Sequence, residues 1–185
     1  MATTDAVLTA EEFARLGDSG RPMELVLGHV VMMNMPGTRH GYICSNIAIE
    51  LGIYLRGSPV GRVVSNDSGV VTHRDPDSVR GADVAFYSFA RLPQGDVPTG
   101  YPAQPPELVF EVKSPSDTWK DLLTKTAEYL QAGVVNVCVV DPENETVTIY
   151  YADKHDVKLE GSATFSLPEL LPNFAVPIAR FFHAQ

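Results

Sequence analysis

The sequence predicts an α/β domain built on a mixed β-sheet flanked by helices, and three observations lead there. A strand-helix-strand pattern over 107–140 requires a parallel strand pair joined by a right-handed crossover. Hairpin patterns at 23–35 and 134–151 add antiparallel strands. Helical periodicity from Thr38 to Arg56 supplies a helix long enough to cover one face of a sheet. At 185 residues, 44% hydrophobic and 20% charged, the chain fits a single domain spanning 1–185. A domain of this size buries roughly 70% of its extended-chain surface and needs neither disulfides nor a structural metal to stabilise it.

Taken in order, Thr9 and Glu12 have capping-box spacing, Leu8 is placed as a hydrophobic staple, and Phe13 and Leu16 give a short apolar stripe before Gly17. Met23–Leu27 and Val30–Met35 read as strands joined tightly at Gly28-His29, an N-terminal hairpin extension. In the long helix Ile43, Ile47, Leu51, Tyr54 and Leu55 recur at helical spacing, and Gly57 is a natural stop. Arg62–Asn66 and Val70–His73 read as two short strands around Asp67-Ser68-Gly69. A polar loop, Arg74–Ser78, precedes a strand from Ala82 to Tyr87. Five prolines between Arg91 and Pro106 make that stretch an irregular loop. Glu107–Lys113 resumes as a strand. Ser114-Pro115-Ser116-Asp117 then caps a helix from about Thr118 to Ala132, with Trp119, Leu122, Leu123 and Leu130 expected to face inward. Val134–Val140 is apolar throughout, as a strand covered on both faces should be. The chain turns at Asp141-Pro142-Glu143-Asn144 into Thr146–Tyr151, and short strands and loops follow.

Composition narrows the function. Lys and Arg total 14 against 23 Asp and Glu, a net charge of -9, with no basic block. That argues against tight, sequence-independent DNA binding by phosphate neutralisation alone. It is compatible with a metal-dependent phosphodiesterase, whose cations bring their own positive charge. Cys44 and Cys138 sit in apolar contexts expected of buried reduced thiols, and Met1–Thr9 has no basic flank or apolar core of a signal peptide, so a cytoplasmic protein is expected. No apolar run approaches a membrane span. G-x-G-x-x-G, a Walker loop, G-x-S-x-G, C-x-x-C and H-E-x-x-H are all missing, which removes dinucleotide enzymes, P-loop NTPases, ordinary α/β-hydrolases and zincins.

The chemistry that remains centres on Leu108-Val109-Phe110-Glu111-Val112-Lys113. A strand alternates faces, so Glu111 and Lys113 point to one side, about 7 Å apart, at the strand's C-terminal end. If the Asp83 strand is its neighbour, Asp83 and Glu111 can share one hard divalent cation, Mg2+ or Mn2+. The Val112 carbonyl is a further candidate ligand. Lys113 would then stabilise an attacking hydroxide or the charge developing on phosphorus.

These residues also carry a resemblance. Asp83 followed by Glu111-Val112-Lys113 looks like the PD-(D/E)XK nuclease signature. Met23–Gly28, Ala82–Ala85, Pro106–Asp117, the stretch from Lys125 through Tyr129 to Val134, and Val139–Pro142 together resemble the Uma family of restriction endonuclease-like proteins, in order from about residue 9 to 180. The resemblance implies a restriction-endonuclease-like core, a divalent-metal site and endonuclease activity on DNA. By it, Asp83 and Glu111 are metal ligands and Lys113 the catalytic lysine. Glu24 is a further acidic site residue, and Lys125 a helix lysine that stands in for the strand lysine in some relatives. The chain departs from the pattern at Ala82, where a proline is usual, and at Asn136-Val137-Cys138, where the family is more aromatic.

Structural alternatives stand beside each reading. Glu111 and Lys113 fit a solvated ion pair, worth at most ~1 kcal/mol. Asp83 fits a turn cap after Gly81, and Glu24 a partner for Arg21. His40 fits a helix cap or surface residue that could reach a phosphate, Trp119 a core anchor, and Lys120 and Lys125 a solvated helix face. The alternative function is a catalytically inactive, dimeric regulatory or interaction protein that keeps the nuclease fold. For an active nuclease a homodimer is expected, since paired sites address opposite strands.

Overall fold

The computed structural model describes residues 7–16 and 20–183. In chain order the elements are α1 (Ala10–Arg15), β1 (Met23–Val26), β2 (His29–Met32), α2 (Thr38–Gly57), β3 (Gly61–His73), β4 (Ser78–Ser88) and β5 (Leu108–Val112). They continue with α3 (Trp119–Gln131), β6 (Asn136–Asp141), β7 (Thr146–Tyr151), β8 (Val157–Leu159), β9 (Thr164–Ser166), β10 (Ala175–Pro177) and α4 (Ala179–Phe182). The main sheet has eight strands in the order β2-β1-β4-β5-β6-β7-β8, with β3 on β4. Among the described residues only β5 and β6 are parallel within it, and α3 is their crossover. Among the described residues, no helix is long and apolar enough to cross a membrane.

Local sequence accounts for the joints. Thr9 and Glu12 form the expected capping box on α1; Gly17 lies outside the described residues. Leu27 and Gly28 both take positive φ, 48° and 79°, which is the two-residue turn that matches the twist of the β1–β2 hairpin. Gly28 has a second reason to be glycine, because a Cβ there would run into the Val7 side chain.

One face of the sheet packs on α2 and the C-terminal segment: Ile43, Ile47 and Leu51 meet Val84, Phe86, Phe110, Phe165 and Phe181. Phe110, Phe165 and Phe181 sit mutually edge-on or tilted, with centroids 5.4–6.0 Å apart. The other face packs on α3, where Tyr129 meets Ala85, Tyr87, Val109 and Val137. Alternation along β5 therefore sends Phe110 and Val112 towards α2, and Val109 and Glu111 towards α3.

Four sequence expectations need correction. The β1–β2 turn is Leu27-Gly28, one residue before the expected Gly28-His29 joint, and His29 belongs to β2. The two short strands at 62–73 are one strand, β3, interrupted by a register shift between Ser65 and Ser68. There Asn66 and Asp67 adopt positive φ, 70° and 53°, forming a bulge rather than a turn. Asp83 does not begin its strand but lies midway along β4, which starts at Ser78. Trp119 and Leu123 face solvent, each 45% exposed, while Leu122, Thr126 and Tyr129 form the buried stripe. The α3 contact is narrower than the apolar content of the helix suggested.

Candidate active site

The site lies at a fork in the sheet. Along one edge β4 pairs with β3 for its whole length. Along its other edge β4 meets β1 at Val79 and β5 only from Val84 onwards. Arg80 to Asp83 are left without a strand partner on that edge, and their backbone groups must be satisfied by something else. Side chains do this. Glu24 Oε1 accepts the Gly81 N–H at 3.0 Å, and Lys125 Nζ donates to the Gly81 carbonyl at 2.7 Å. Past the last β4–β5 pair, Asp83 Oδ2 accepts the Val112 N–H at 2.6 Å. The register that pairs Val84 with Phe110 sets Asp83 opposite Glu111.

Lys125 reaches the fork because α3 runs back over β5 after the Ser114–Asp117 turn. Its ammonium lies 2.8 Å from Glu111 Oε2 and 3.1 Å from Glu24 Oε1. Arg80 closes the cluster from outside, giving one hydrogen bond to Glu24 at 2.8 Å and two to Glu128 at 2.6 and 2.8 Å. From the α2 side His40 Nε2 sits 3.2 Å from Asp83 Oδ2, and His40 Nδ1 sits 3.5 Å from Cys44 Sγ. Glu24, His40, Arg80, Asp83, Glu111 and Lys125 line an open cleft of about 800 Å³, which Val31, Met32, Met33 and Pro36 also line.

The structure thus brings together Asp83, Glu111, Glu24 and Lys125, with Val112 beside them on the cleft wall. Lys113 stands apart. Its ammonium is 6.0 Å from the Trp119 ring, at the start of α3, and among the described residues it makes none of the cluster's ion pairs. Glu24 pairs with Arg80 and Lys125. His40 is no surface cap: its side chain is 11% exposed and engaged with Asp83. Arg80, Glu128 and Asp67 belong to the site and were not singled out in the sequence. The i, i+4 spacing of His40 and Cys44 was a usable signal for the α2 contribution.

The family model Uma2, described as "Putative restriction endonuclease", matches residues 10–179. The chain belongs to the Uma2 family. Its fold is also that of a solved structure described as "a putative nuclease belonging to DUF820 from Anabaena variabilis ATCC 29413". The two share 18% sequence identity, the match covers 95% of this chain and 97% of that one, and the TM-score is 0.79. No curated protein matches the chain.

Electrostatics in this Uma2 member are dominated by burial among carboxylates. Burial, aided by the Asp83 charge, pushes Glu111 up to about 8, with Lys125 pulling the other way. Burial works against the Lys125 ammonium, but Glu111, Glu24 and Asp83 outweigh it and hold the lysine charged. Burial would also raise Asp83; the His40 hydrogen bond and charge, Lys125 and the Val112 N–H bring it below its usual range. Asp67, delivered by the β3 bulge, is raised by burial and by Asp83. The bulge fits because residue 81 is glycine: a Cβ there would lie 3.0 Å from Asp67 Cβ and 3.2 Å from its carbonyl oxygen.

The donors suit a hard divalent cation. Glu111 Oε1 is buried and makes no hydrogen bond of ordinary geometry, although the neighbouring Tyr129 hydroxyl interacts with the carboxylate and Oε2 is held by Lys125. A native carboxylate oxygen in that state is costly unless a cation or ordered solvent satisfies it. Asp83 on the adjacent strand supplies the second carboxylate.

Proposed function

We propose that the protein is a Mg2+- or Mn2+-dependent endonuclease that hydrolyses DNA phosphodiester bonds at a PD-(D/E)XK-type site. The observation that carries this reading is Glu111 Oε1, buried without a hydrogen bond of ordinary geometry, opposite Asp83 and beside a buried lysine, in an open cleft. Family membership and the fold support the same class. Asp83 and Glu111 would hold the cation, with the Val112 carbonyl as a further ligand. When bound, such a cation polarises a phosphoryl oxygen and lowers the pKa of a coordinated water.

The chain's own groups do the rest. Lys125 fixes the Glu111 rotamer and directs positive charge at the place where the phosphate gains negative charge. Glu24 holds Lys125 and the Gly81 amide, so the ammonium is positioned before substrate arrives. Lys113, beside Trp119 at the start of α3, is assigned to contact with a neighbouring phosphate. We also read the protein as a homodimer. The edge strand β2 supports this, because Val30, Val31 and Met32 are exposed and no charged side chain protects the edge.

The test is cleavage of plasmid and linear DNA in Mg2+ or Mn2+, with Asp83→Ala and Glu111→Gln checked for fold by circular dichroism. Both folded variants should be inactive; cleavage retained in both overturns the site. A second reading, an inactive interaction protein, draws on the -9 net charge and on Lys125 and Arg80 already being paired with carboxylates. Calorimetry decides between them, since absence of Mg2+ or Mn2+ binding at millimolar concentration favours the second.

A further inference from the structure

We propose that His40, Cys44 and Asp83 form a second binding site, sharing Asp83 with the first, for a thiophilic divalent cation of the zinc type. His40 and Cys44 are one helical turn apart on α2, which places both on the same face. Asp83 meets that face from β4. Cys44 Sγ lies 3.5 Å from His40 Nδ1, and His40 Nε2 lies 3.2 Å from Asp83 Oδ2. One ligand atom from each residue falls within 4.8 Å of the other two.

Ligands on a tetrahedral zinc ion stand about 3.3–3.8 Å apart, given bond lengths near 2.0 Å to nitrogen or oxygen and 2.3 Å to sulfur. The two short contacts use different imidazole nitrogens, so with one His40 nitrogen as ligand the set, all within 4.8 Å, must contract to meet this spacing. A modest turn of the imidazole gives one nitrogen to the cation and leaves the other for a hydrogen bond.

The donor chemistry separates this site from the Asp83–Glu111 pair. Two carboxylates select Mg2+ or Mn2+, whereas thiolate and imidazole favour zinc, cobalt or copper. Three protein ligands leave a coordination position open towards the cleft that His40 and Asp83 line. Burial first, and then the charges of Asp83, Asp67 and Glu111, push the Cys44 thiol up, so the cation those carboxylates attract must itself displace the thiol proton. Binding forms a metal–sulfur bond and releases the thiol proton to solvent, with no change of oxidation state. Since both sites use Asp83, zinc at one would displace Mn2+ from the other.

Binding is independent of the nuclease reading and is tested without activity. Co2+, a spectroscopic substitute for zinc, is titrated into the metal-free full chain and followed by absorbance. The wild type should develop a thiolate-to-cobalt charge-transfer band in the near ultraviolet. Cys44→Ser should lose it, and His40→Ala should weaken binding by at least about 100-fold, more than loss of an outer-shell partner. Glu111→Gln should keep the band while losing Mn2+ binding by calorimetry, which separates failure of this site from failure of the nuclease site. Absence of the band in the wild type at saturating Co2+, or its survival in Cys44→Ser, overturns the proposal.

Discussion

Replacing Lys125 by methionine removes one ammonium that contacts three groups: Glu111 at 2.8 Å, Glu24 at 3.1 Å and the Gly81 carbonyl at 2.7 Å. Methionine keeps the stem's apolar packing, so the loss is mainly electrostatic. Arg80 still compensates Glu24, but Glu111 is left without a cation. Removing one partner of a buried ion pair costs about 3–5 kcal/mol. Glu111 is already pushed up to about 8 with Lys125 pulling it down, so without the lysine it rises further, is protonated at neutral pH and recovers part of that cost. We therefore expect about 2–4 kcal/mol of destabilisation in urea melts at pH 7. Adding Glu111→Gln should return some of it, because the double variant no longer buries an unpaired acid. Lys113→Met, at the margin of the cluster beside Trp119, should cost under about 1 kcal/mol. Cleavage should follow the same division. Lys125→Met, assayed well below its melting temperature, should lose about 100–1,000-fold in kcat, as removal of a charge-stabilising donor does. Lys113→Met should mainly raise KM. Equal melts for the two lysine variants, or full kcat in folded Lys125→Met, would refute the assignment of the ammonium to α3.

Three further outcomes are expected. Arg80→Leu should destabilise the protein by about 3 kcal/mol in urea melts, because Glu24 and Glu128 both lose the guanidinium that ties β1 to α3 across β4. Asp77→Asn should loosen α1, since Asp77 Oδ2 accepts the Ala10 N–H at 2.7 Å. Faster amide exchange at Ala10–Phe13 would report a loss of about 1–2 kcal/mol. Burial works against the Asp77 charge, but the Ala10 and Asp75 N–H groups and Arg74 lower its pKa below the ordinary 3.8. This contribution is thus complete above the unfolded value and is lost as pH falls through the folded one, so wild-type α1 should loosen in acid while Asp77→Asn shows little such change. Val30→Lys on the β2 edge should convert a dimer to a monomer in light scattering without lowering the melting temperature of the monomer.

Much of the fold was legible because local chemistry and global packing agree. Gly28 marked the hairpin, though the turn falls at Leu27-Gly28 and not at Gly28-His29; Thr9 and Glu12 encode the first cap, and the run of apolar residues after Gly133 the doubly covered β6. Asp83 and Glu111 stood out because an acid in an apolar strand conflicts with burial unless it has work to do. The fork was not legible, because it depends on β1 and β5 sharing one edge of β4, a long-range pairing with no local signature. For the same reason nothing in the sequence singled out Arg80 or Glu128. The bulge at Asn66-Asp67 resembled a turn, since residues that tolerate positive φ serve both. Period-two alternation led to the expectation that Glu111 and Lys113 share one side. It could not say that the strand ends at Val112, beyond which Lys113 turns towards Trp119 and leaves the place beside Glu111 to Lys125.

The most direct test is diffraction from a crystal soaked in MnCl2, using anomalous scattering to locate manganese. A peak coordinated jointly by the Asp83 and Glu111 carboxylates, absent in Glu111→Gln, is the predicted result. No manganese between those side chains at millimolar concentration, in a crystal whose cleft is open to solvent, would contradict it.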